Sequence, residues 1–155
     1  MKAVLISEDE GQTKAIAASL APVLPAGTVL LLTGELGTGK STFVKGLARG
    51  LGQQEETRSP TFAIIREYPR LVHVDLYRLT PEESTHLGLE EYFDGGRLVA
   101  VEWAERAPDS LWAVATWTLK ITFTPLDLNR RRVEIECERP SAQLAAWLEA
   151  AGCVS

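Results

Sequence analysis

The run GELGTGKST at residues 34–42 places glycines at 34, 37 and 39, a lysine at 40 and hydroxyls at 41 and 42. The spacing fits G-x-x-x-x-G-K-[ST], in which glycines let successive backbone N–H groups close round phosphate oxygens and the helix that follows adds its positive N-terminal end. Lys40 is expected to reach the outer phosphates, and the Ser41 hydroxyl to ligate Mg²⁺. The expected nucleotide cradle is therefore Gly34, Glu35, Leu36, Gly37, Thr38, Gly39, Lys40, Ser41 and Thr42. An ordinary glycine-rich turn with an exposed lysine is the alternative, and the flanking sequence argues against it.

Two apolar runs elsewhere end in an acid: LVHVD at Asp75 and LVAVE at Glu102. In open α/β sheets ligands gather at the carboxyl ends of strands, where a carboxylate can hold Mg²⁺ directly or through a water. Asp75 is the expected magnesium-side acid, opposite Ser41. Glu102 fits either of two roles, completing the Mg²⁺ shell or orienting an attacking water, and spacing does not separate them. A turn or cap residue is the plain alternative for each acid. His73 shares a strand face with Asp75 by period two and reads as a packed or hydrogen-bonded histidine before a catalyst. In SPTF (59–62), Pro60 stiffens the chain and would present the Thr61 hydroxyl near the phosphate loop, where it could sense a terminal phosphate. The alternative is a proline that opens an edge strand. Trp103 follows Glu102 directly; it lies beside the nucleotide, at a partner surface or in the core.

These residues need strands and helices in a fixed order. TVLLLT (28–33) is a leucine-rich run expected to be a strand buried on both faces. STFVKGLARGLG (41–52) carries Phe43, Val44, Leu47, Ala48 and Leu51 at helical spacing, with Gly50 and Gly52 as a stop. Upstream, AVLI (3–6) reads as a short strand and residues 7–24 as a helix that Ser7 caps and Glu10 completes as a capping box. TFAIIREY (61–68) and LVHVDLYRL (71–79), parted by Pro69-Arg70, read as an antiparallel hairpin. Residues 80–96 start with Thr80 as cap and Pro81 at the first helical position, and form a helix broken near Gly88. RLVAVEW (97–103) is another buried strand, TWTLKITFT (116–124) and RRVEIECE (131–138) pair as strands, and residues 141–152 close with a helix. The sum is an α/β fold, a P-loop NTPase-like mixed β-sheet flanked by helices, with residues 1–155 as a single domain.

Composition adds exclusions. A chain of 155 residues, 45% hydrophobic and 24% charged, has enough apolar surface for one sizeable core. The net charge of −5 leaves any nucleic-acid contact to a local patch or to partners, so direct unaided binding of tRNA or DNA is disfavoured. Arg130, Arg131 and Arg132 make the sole consecutive basic cluster, a solvated hairpin turn or a functional patch. Cys137 and Cys153 lack the paired spacing of a metal site or disulfide framework, which points to a reducing compartment. No basic-plus-apolar leader and no run of membrane-spanning length are present, so the expected location is the cytoplasm, away from membranes.

Taken in order, GELGTGKSTF (34–43), SPTF (59–62), HVDLYRL (73–79), LGLEEYF (87–93) and Glu102-Trp103 resemble the TsaE-type ATPase family of bacterial tRNA threonylcarbamoyladenosine biosynthesis. The likeness covers most of residues 28–106. It implies a small ATPase using ATP and Mg²⁺ that joins the threonylcarbamoyltransferase subunit and its companion subunit. Hydrolysis would support turnover of that complex without activating the transferred group. The resemblance also implies that Glu10, Thr13 and Arg131 lie near base and ribose; a helix cap and a solvated arginine are the alternatives. Departures are small: Glu35-Leu-Gly-Thr38 where Asp-Leu-Gly-Ala is frequent, Ser41 where threonine is frequent, and Ala104 where a proline often follows the Glu-Trp pair.

Rival functions are narrowed by what is missing. A GTPase needs an Asn-Lys-x-Asp base-reading motif, and the sole asparagine, Asn129, is followed by arginines. A small-molecule kinase could use Arg130 to Arg132 as a lid but needs an acceptor pocket that no segment supplies. A non-catalytic ATP-sensing module, in which nucleotide only orders a partner-binding surface, differs from an ATPase by its lack of turnover.

Overall fold

The computed structural model describes residues 1–54 and 64–154. Along the chain run β1 (Lys2–Ser7), α1 (Glu10–Leu20), β2 (Val29–Thr33), α2 (Lys40–Gly50), β3 (Ile65–Glu67), β4 (Leu71–Asp75), α3 (Pro81–Thr85), β5 (Leu98–Glu102), α4 (Asp109–Trp112), β6 (Thr118–Pro125), β7 (Arg131–Glu136), α5 (Ala142–Gly152) and β8 (Cys153–Val154). The strands form one sheet in the order β3-β4-β5-β2-β6-β7-β1-β8. β4, β5, β2 and β6 are parallel neighbours, while β3, β7, β1 and β8 run antiparallel to theirs. The sheet is therefore mixed and helix-flanked, as the sequence indicates, and the carboxyl ends of β4, β5, β2 and β6 meet on one end.

Alternation along the strands sorts apolar side chains to two faces. Leu30, Leu32, Ala100, Leu119 and Ile121 face one layer, where Leu20 of α1, Phe43, Val44 and Leu47 of α2, and Leu148 of α5 cover them. Val29, Leu31, Val72, Val74, Val99 and Val101 face the other, covered by Leu89, Phe93, Leu111 and Trp112. Buried on both sides, β2, β4 and β5 read as continuous apolar runs. β6 and β7 have one solvated face, which carries the exposed Lys120 and Glu136.

Local chemistry explains the element ends, with one correction. Asp9, and not Ser7, caps α1: its Oδ1 accepts the Gln12 N–H at 2.8 Å, while the Gln12 side chain accepts the Glu8 N–H at 2.8 Å. Ser7 is withdrawn from that role because β1 runs through it, paired with Arg131, and its hydroxyl bonds the Asp9 carbonyl and Thr13 Oγ1. Glu10 becomes the first helical residue and closes no capping box. The box does form at α3, where Thr80 and Glu83 exchange bonds, and the helical segment breaks at Gly88 as expected, resuming as a 3-10 turn at Leu89–Tyr92. The antiparallel β3–β4 and β6–β7 pairs follow the sequence reading. α4 and β8 were not signalled; β8 owes its strand geometry to its pairing with β1. Among the described residues no helix is long and apolar enough to cross a membrane.

α2 carries the phosphate loop's lysine and serine, and its seat is fixed by close approach to α1. A Cβ on Gly46 would collide with the Lys14 carbonyl and stand 2.7 Å from Ala17 Cβ, and one on Gly50 would meet the Ala18 carbonyl. Small residues there let the two backbones touch. Gly46→Leu is expected to destabilise the protein by about 1–3 kcal/mol through overpacking, read as a lower urea midpoint; an unchanged midpoint would contradict this contact.

Candidate functional site

The loop between β2 and α2 is closed by glycines for steric reasons. Gly39, at φ 105°, is the N-cap residue of α2, and no side chain caps that helix. The Arg131 guanidinium occupies the place where any side chain at position 39 would project. Gly39 is thus required both by its left-handed backbone and by its neighbour. The first N–H groups of α2, without a side-chain cap, are the kind of donors that hold an anion. Lys40 turns back over the loop and donates to the carbonyls of Gly34 at 2.6 Å and Glu35 at 2.8 Å. Thr38 donates its hydroxyl to the Glu35 carbonyl at 2.7 Å, which tightens the same bend.

The two expected acids are brought together. In the parallel register of β4 and β5, Asp75 lies directly across from Glu102. Glu102 is 3% exposed; Ser41 Oγ stands 2.9 and 3.0 Å from its two oxygens, and His73 Nε2 stands 2.5 Å from Oε2. Asp75 is half-buried, and its Oδ1 accepts the Tyr77 N–H at 3.0 Å. The place opposite the Ser41 hydroxyl, which the sequence assigns to Asp75, is therefore held by Glu102, with Asp75 beside it. Burial, aided by the Glu102 charge, raises the Asp75 carboxyl above its ordinary value, against the Tyr77 N–H and the His73 and Lys40 side chains. Burial also lowers the Lys40 ammonium, against the pull of Glu102, Glu105 and Asp75.

An aromatic wall completes the enclosure. Trp103 takes φ 58°, a left-handed conformation that an aromatic residue adopts only under constraint. The turn carries its ring to 4.3 Å from Lys40 Nζ and 4.8 Å from the Tyr77 ring, with Arg106 5.6 Å from it. Trp103 both lines this wall and packs against the apolar layer of Leu31, Val72 and Val74. Tyr77 and Arg106 were missed; Tyr77 continues the period-two series of His73 and Asp75 just beyond the strand end, which was the available signal.

The result is a cleft of about 290 Å³ lined by the loop from Leu36 through Thr42, with Asp75, Tyr77, Glu102, Trp103, Arg131 and Glu10. Thr13 is not in it: the residue is fully buried, and its hydroxyl bonds Ser7 Oγ and the Asp9 carbonyl. Gly34 and Glu35 act on it through the carbonyls that hold Lys40. Thr61, with the rest of SPTF, lies outside the described residues. A larger hollow of about 470 Å³, beside Trp112 and Cys137, shares no residue with this cleft. Among the described residues no three His, Cys, Asp or Glu side chains gather as a metal site. A magnesium ion would be held here by Ser41 with Glu102 or Asp75 and by phosphate oxygens, the mixed shell this ion commonly takes.

The fold is an α/β, P-loop NTPase-like mixed sheet, with a glycine-rich loop of the phosphate-loop pattern at the start of α2. The family model for "Threonylcarbamoyl adenosine biosynthesis protein TsaE" matches residues 7–133, and the chain belongs to that family. It is 45% identical over 135 residues to the tRNA threonylcarbamoyladenosine biosynthesis protein TsaE of Nostoc sp., covering 82% of this chain and 81% of that one. It is 48% identical over 104 residues to the protein of the same name from Bacillus subtilis, covering 64% and 65%. The crystal structure of Bacillus subtilis YdiB superposes with a TM-score of 0.72 at 33% identity, covering 97% of this chain and 94% of that one.

Arg131 reaches Gly39 from a hairpin whose tip is stapled by Asp127. That carboxylate accepts the N–H groups of Asn129 and Arg130 and the Arg130 Nε at 2.7 Å, and the Arg130 contacts above all lower its pKa to about 2. A depressed carboxylate stabilises the folded hairpin fully above its unfolded value of 3.8 and loses that contribution as pH falls through about 2. The Arg130 amide proton should therefore titrate with a midpoint near 2 in NMR spectra, and Asp127→Asn should abolish the transition. A midpoint at the ordinary carboxylate value, about 3.9, would show the staple to be absent.

Proposed function

We propose that the chain binds ATP with Mg²⁺ in this cleft and hydrolyses it to ADP and phosphate. In this reading it serves the tRNA threonylcarbamoyladenosine modification machinery, working in the cytoplasm with the threonylcarbamoyltransferase subunit and its companion subunit. The observation that carries the reading is one constellation: Lys40 and Ser41 on the first turn of α2 face Glu102 and Asp75 on neighbouring strand ends. Family membership supports the pathway, and the acidic chain favours contact with tRNA only through partners.

Each residue has a task its geometry supports. The N–H groups from Gly37 to Thr42 bind phosphate oxygens, and Lys40 exchanges the Gly34 and Glu35 carbonyls for the outer phosphates. Ser41 would offer a lone pair to the metal while its hydroxyl keeps its proton and donates it in a hydrogen bond to Glu102. When bound, magnesium neutralises charge on the phosphates and withdraws electrons from the bond that breaks. Glu102 orients the attacking water, or a water of the metal shell, and Asp75 supplies the second carboxylate at that end. Thr61 is proposed to sense the terminal phosphate. Trp103 and Tyr77 shield the outer phosphates from solvent, and Glu10 and Arg131 line the part of the cleft proposed for ribose and base. With no acceptor pocket beside the cleft among the described residues, the free energy of hydrolysis is directed to a partner's conformational cycle, so turnover by the isolated chain is slow.

Purified companion subunits, tRNA and ATP, with and without this chain, give the test. Lys40→Ala should weaken ATP binding at least tenfold, about 1.4 kcal/mol. Glu102→Gln should keep ATP affinity yet lower hydrolysis about 10²–10⁴-fold, the range for a positioned acid–base group, and tRNA modification should fall with it. Asp75→Asn should lose Mg²⁺-dependent hydrolysis. Full modification by Glu102→Gln would favour a nucleotide-sensing module, and consumption of ATP that requires a small hydroxyl compound would favour a kinase.

A further inference from the structure

His73 is left without a task by that account, yet it is one of the most enclosed polar groups in the protein, 1% exposed, and its Nε2 is 2.5 Å from Glu102 Oε2. Its other ring nitrogen, Nδ1, is buried with no hydrogen-bond partner among the described residues. His73 pairs with Ala100 in the β4–β5 register while Asp75 pairs with Glu102, so the imidazole lies one pleat below the carboxylates, and it does not line the cleft. It cannot reach a nucleotide there. It can reach the group that does.

The proton assignment follows from the partner. A carboxylate oxygen accepts, so the short contact needs a hydrogen on Nε2, and Nδ1 is then left facing the core. An apolar side chain would fill this position among Leu71, Leu98 and Ala100 without an unpartnered nitrogen, which is costly in such surroundings. The site therefore keeps, at a local disadvantage, a polar ring whose only hydrogen-bond partner among the described residues is Glu102, which a purely space-filling role does not explain.

We propose that His73 is a positioning residue for Glu102, resting on the ATPase reading above: its Nε2–H fixes the carboxylate so that Ser41 is held on one side and the reacting end of the cleft is faced on the other. Glu102 is the last residue of β5, and Ser41 approaches both of its oxygens from the first turn of α2. A second donor from β4, bound to one oxygen only, fixes the carboxylate plane. Partners of this outer kind commonly change metal affinity or activity 10–100-fold when removed.

The chain has two histidines, His73 and His86, so ring signals can be assigned by comparison with His86→Gln. In protein without added nucleotide, long-range ¹H–¹⁵N spectra should show His73 protonated at Nε2 with a downfield ring N–H that disappears in Glu102→Ala. With partners, Mg²⁺ and ATP, His73→Leu should lower kcat about 10–100-fold and raise the Mg²⁺ needed for half-maximal rate, with KM for ATP within about threefold. His73→Gln, whose amide N–H falls near the position of Nε2, should recover most of kcat. Three results would overturn the assignment: protonation at Nδ1, wild-type kcat in folded His73→Leu, or equal losses of kcat and melting temperature in the leucine and glutamine variants. If wild type itself hydrolyses no ATP, the ATPase reading falls and takes this role with it. An active wild type, an inactive Glu102→Gln and an unaffected His73→Leu would sink the inference about His73 alone.

Discussion

A carboxylate with almost no access to water, Glu102 at the end of β5, is the constraint around which the candidate site is arranged. Removing an ionised carboxylate from solvent is expensive even after the protein relaxes, and the protein must return hydrogen bonds to it. Those bonds come from two separate elements, Ser41 on the first turn of α2 and His73 on β4. Glu102 therefore ties the phosphate loop's helix to the neighbouring strand. A slip of one residue in β4 would turn His73 and Asp75 to the opposite face and strip the acid of both companions at once. The apolar alternation that buries β4 on two sides is thus also what aligns the polar residues at its tip.

Much of this was legible in the chain because it is written in short range. Glycine spacing, helical periodicity after Lys40, and apolar runs ending in Asp75 and Glu102 each follow from a window of about ten residues. What the sequence missed comes from contacts between distant segments. Ser7 is an ordinary N-cap by type, but pairing of β1 with β7 extends the strand through it and hands the cap to Asp9. Thr13 has the residue type of a ligand contact and sits one helical turn past that cap, where its hydroxyl is drawn inward to Ser7. Arg131 looks like part of a solvated basic turn; only the placement of β6 between β2 and β7 carries it to Gly39, more than ninety residues away in sequence. The β8 pair is two residues long and has no periodicity to read.

The site also draws on both faces of the sheet. The loop, α2 and His73 belong to the layer built on Leu30, Leu32 and Ala100, whereas Trp103 packs partly against the opposite layer. The left-handed turn at Trp103 brings this second layer over the edge, so that its ring meets Lys40 and Tyr77 above the strand tips. Backbone strain of this kind, worth about 1–3 kcal/mol, persists where surrounding packing over-determines it, and here that packing is supplied by residues that follow β5 directly. The same strand thus ends in a buried acid and begins an aromatic wall within one residue.

Buried charge alone does not mark a functional site, since ion pairs also occur as structural devices. Here the structural explanation is weak. Each sheet face already has a continuous apolar layer, and neither layer needs Lys40, Glu102 or His73 to close it. Well-packed apolar residues are commonly as stable as a buried ionic group or more so. Yet several departures from that rule are gathered at one end of the sheet: a buried lysine on loop carbonyls, a buried acid, an imidazole with a nitrogen unpartnered among the described residues, an arginine pressed on a glycine, and a strained tryptophan. Such a concentration of set-aside local preferences in one place is the pattern expected of a functional site. Lys40, Ser41, Glu102, Trp103 and Arg131 all line one cleft, and it is this convergence, more than the burial of any one of them, that distinguishes the candidate site from a structural ion pair.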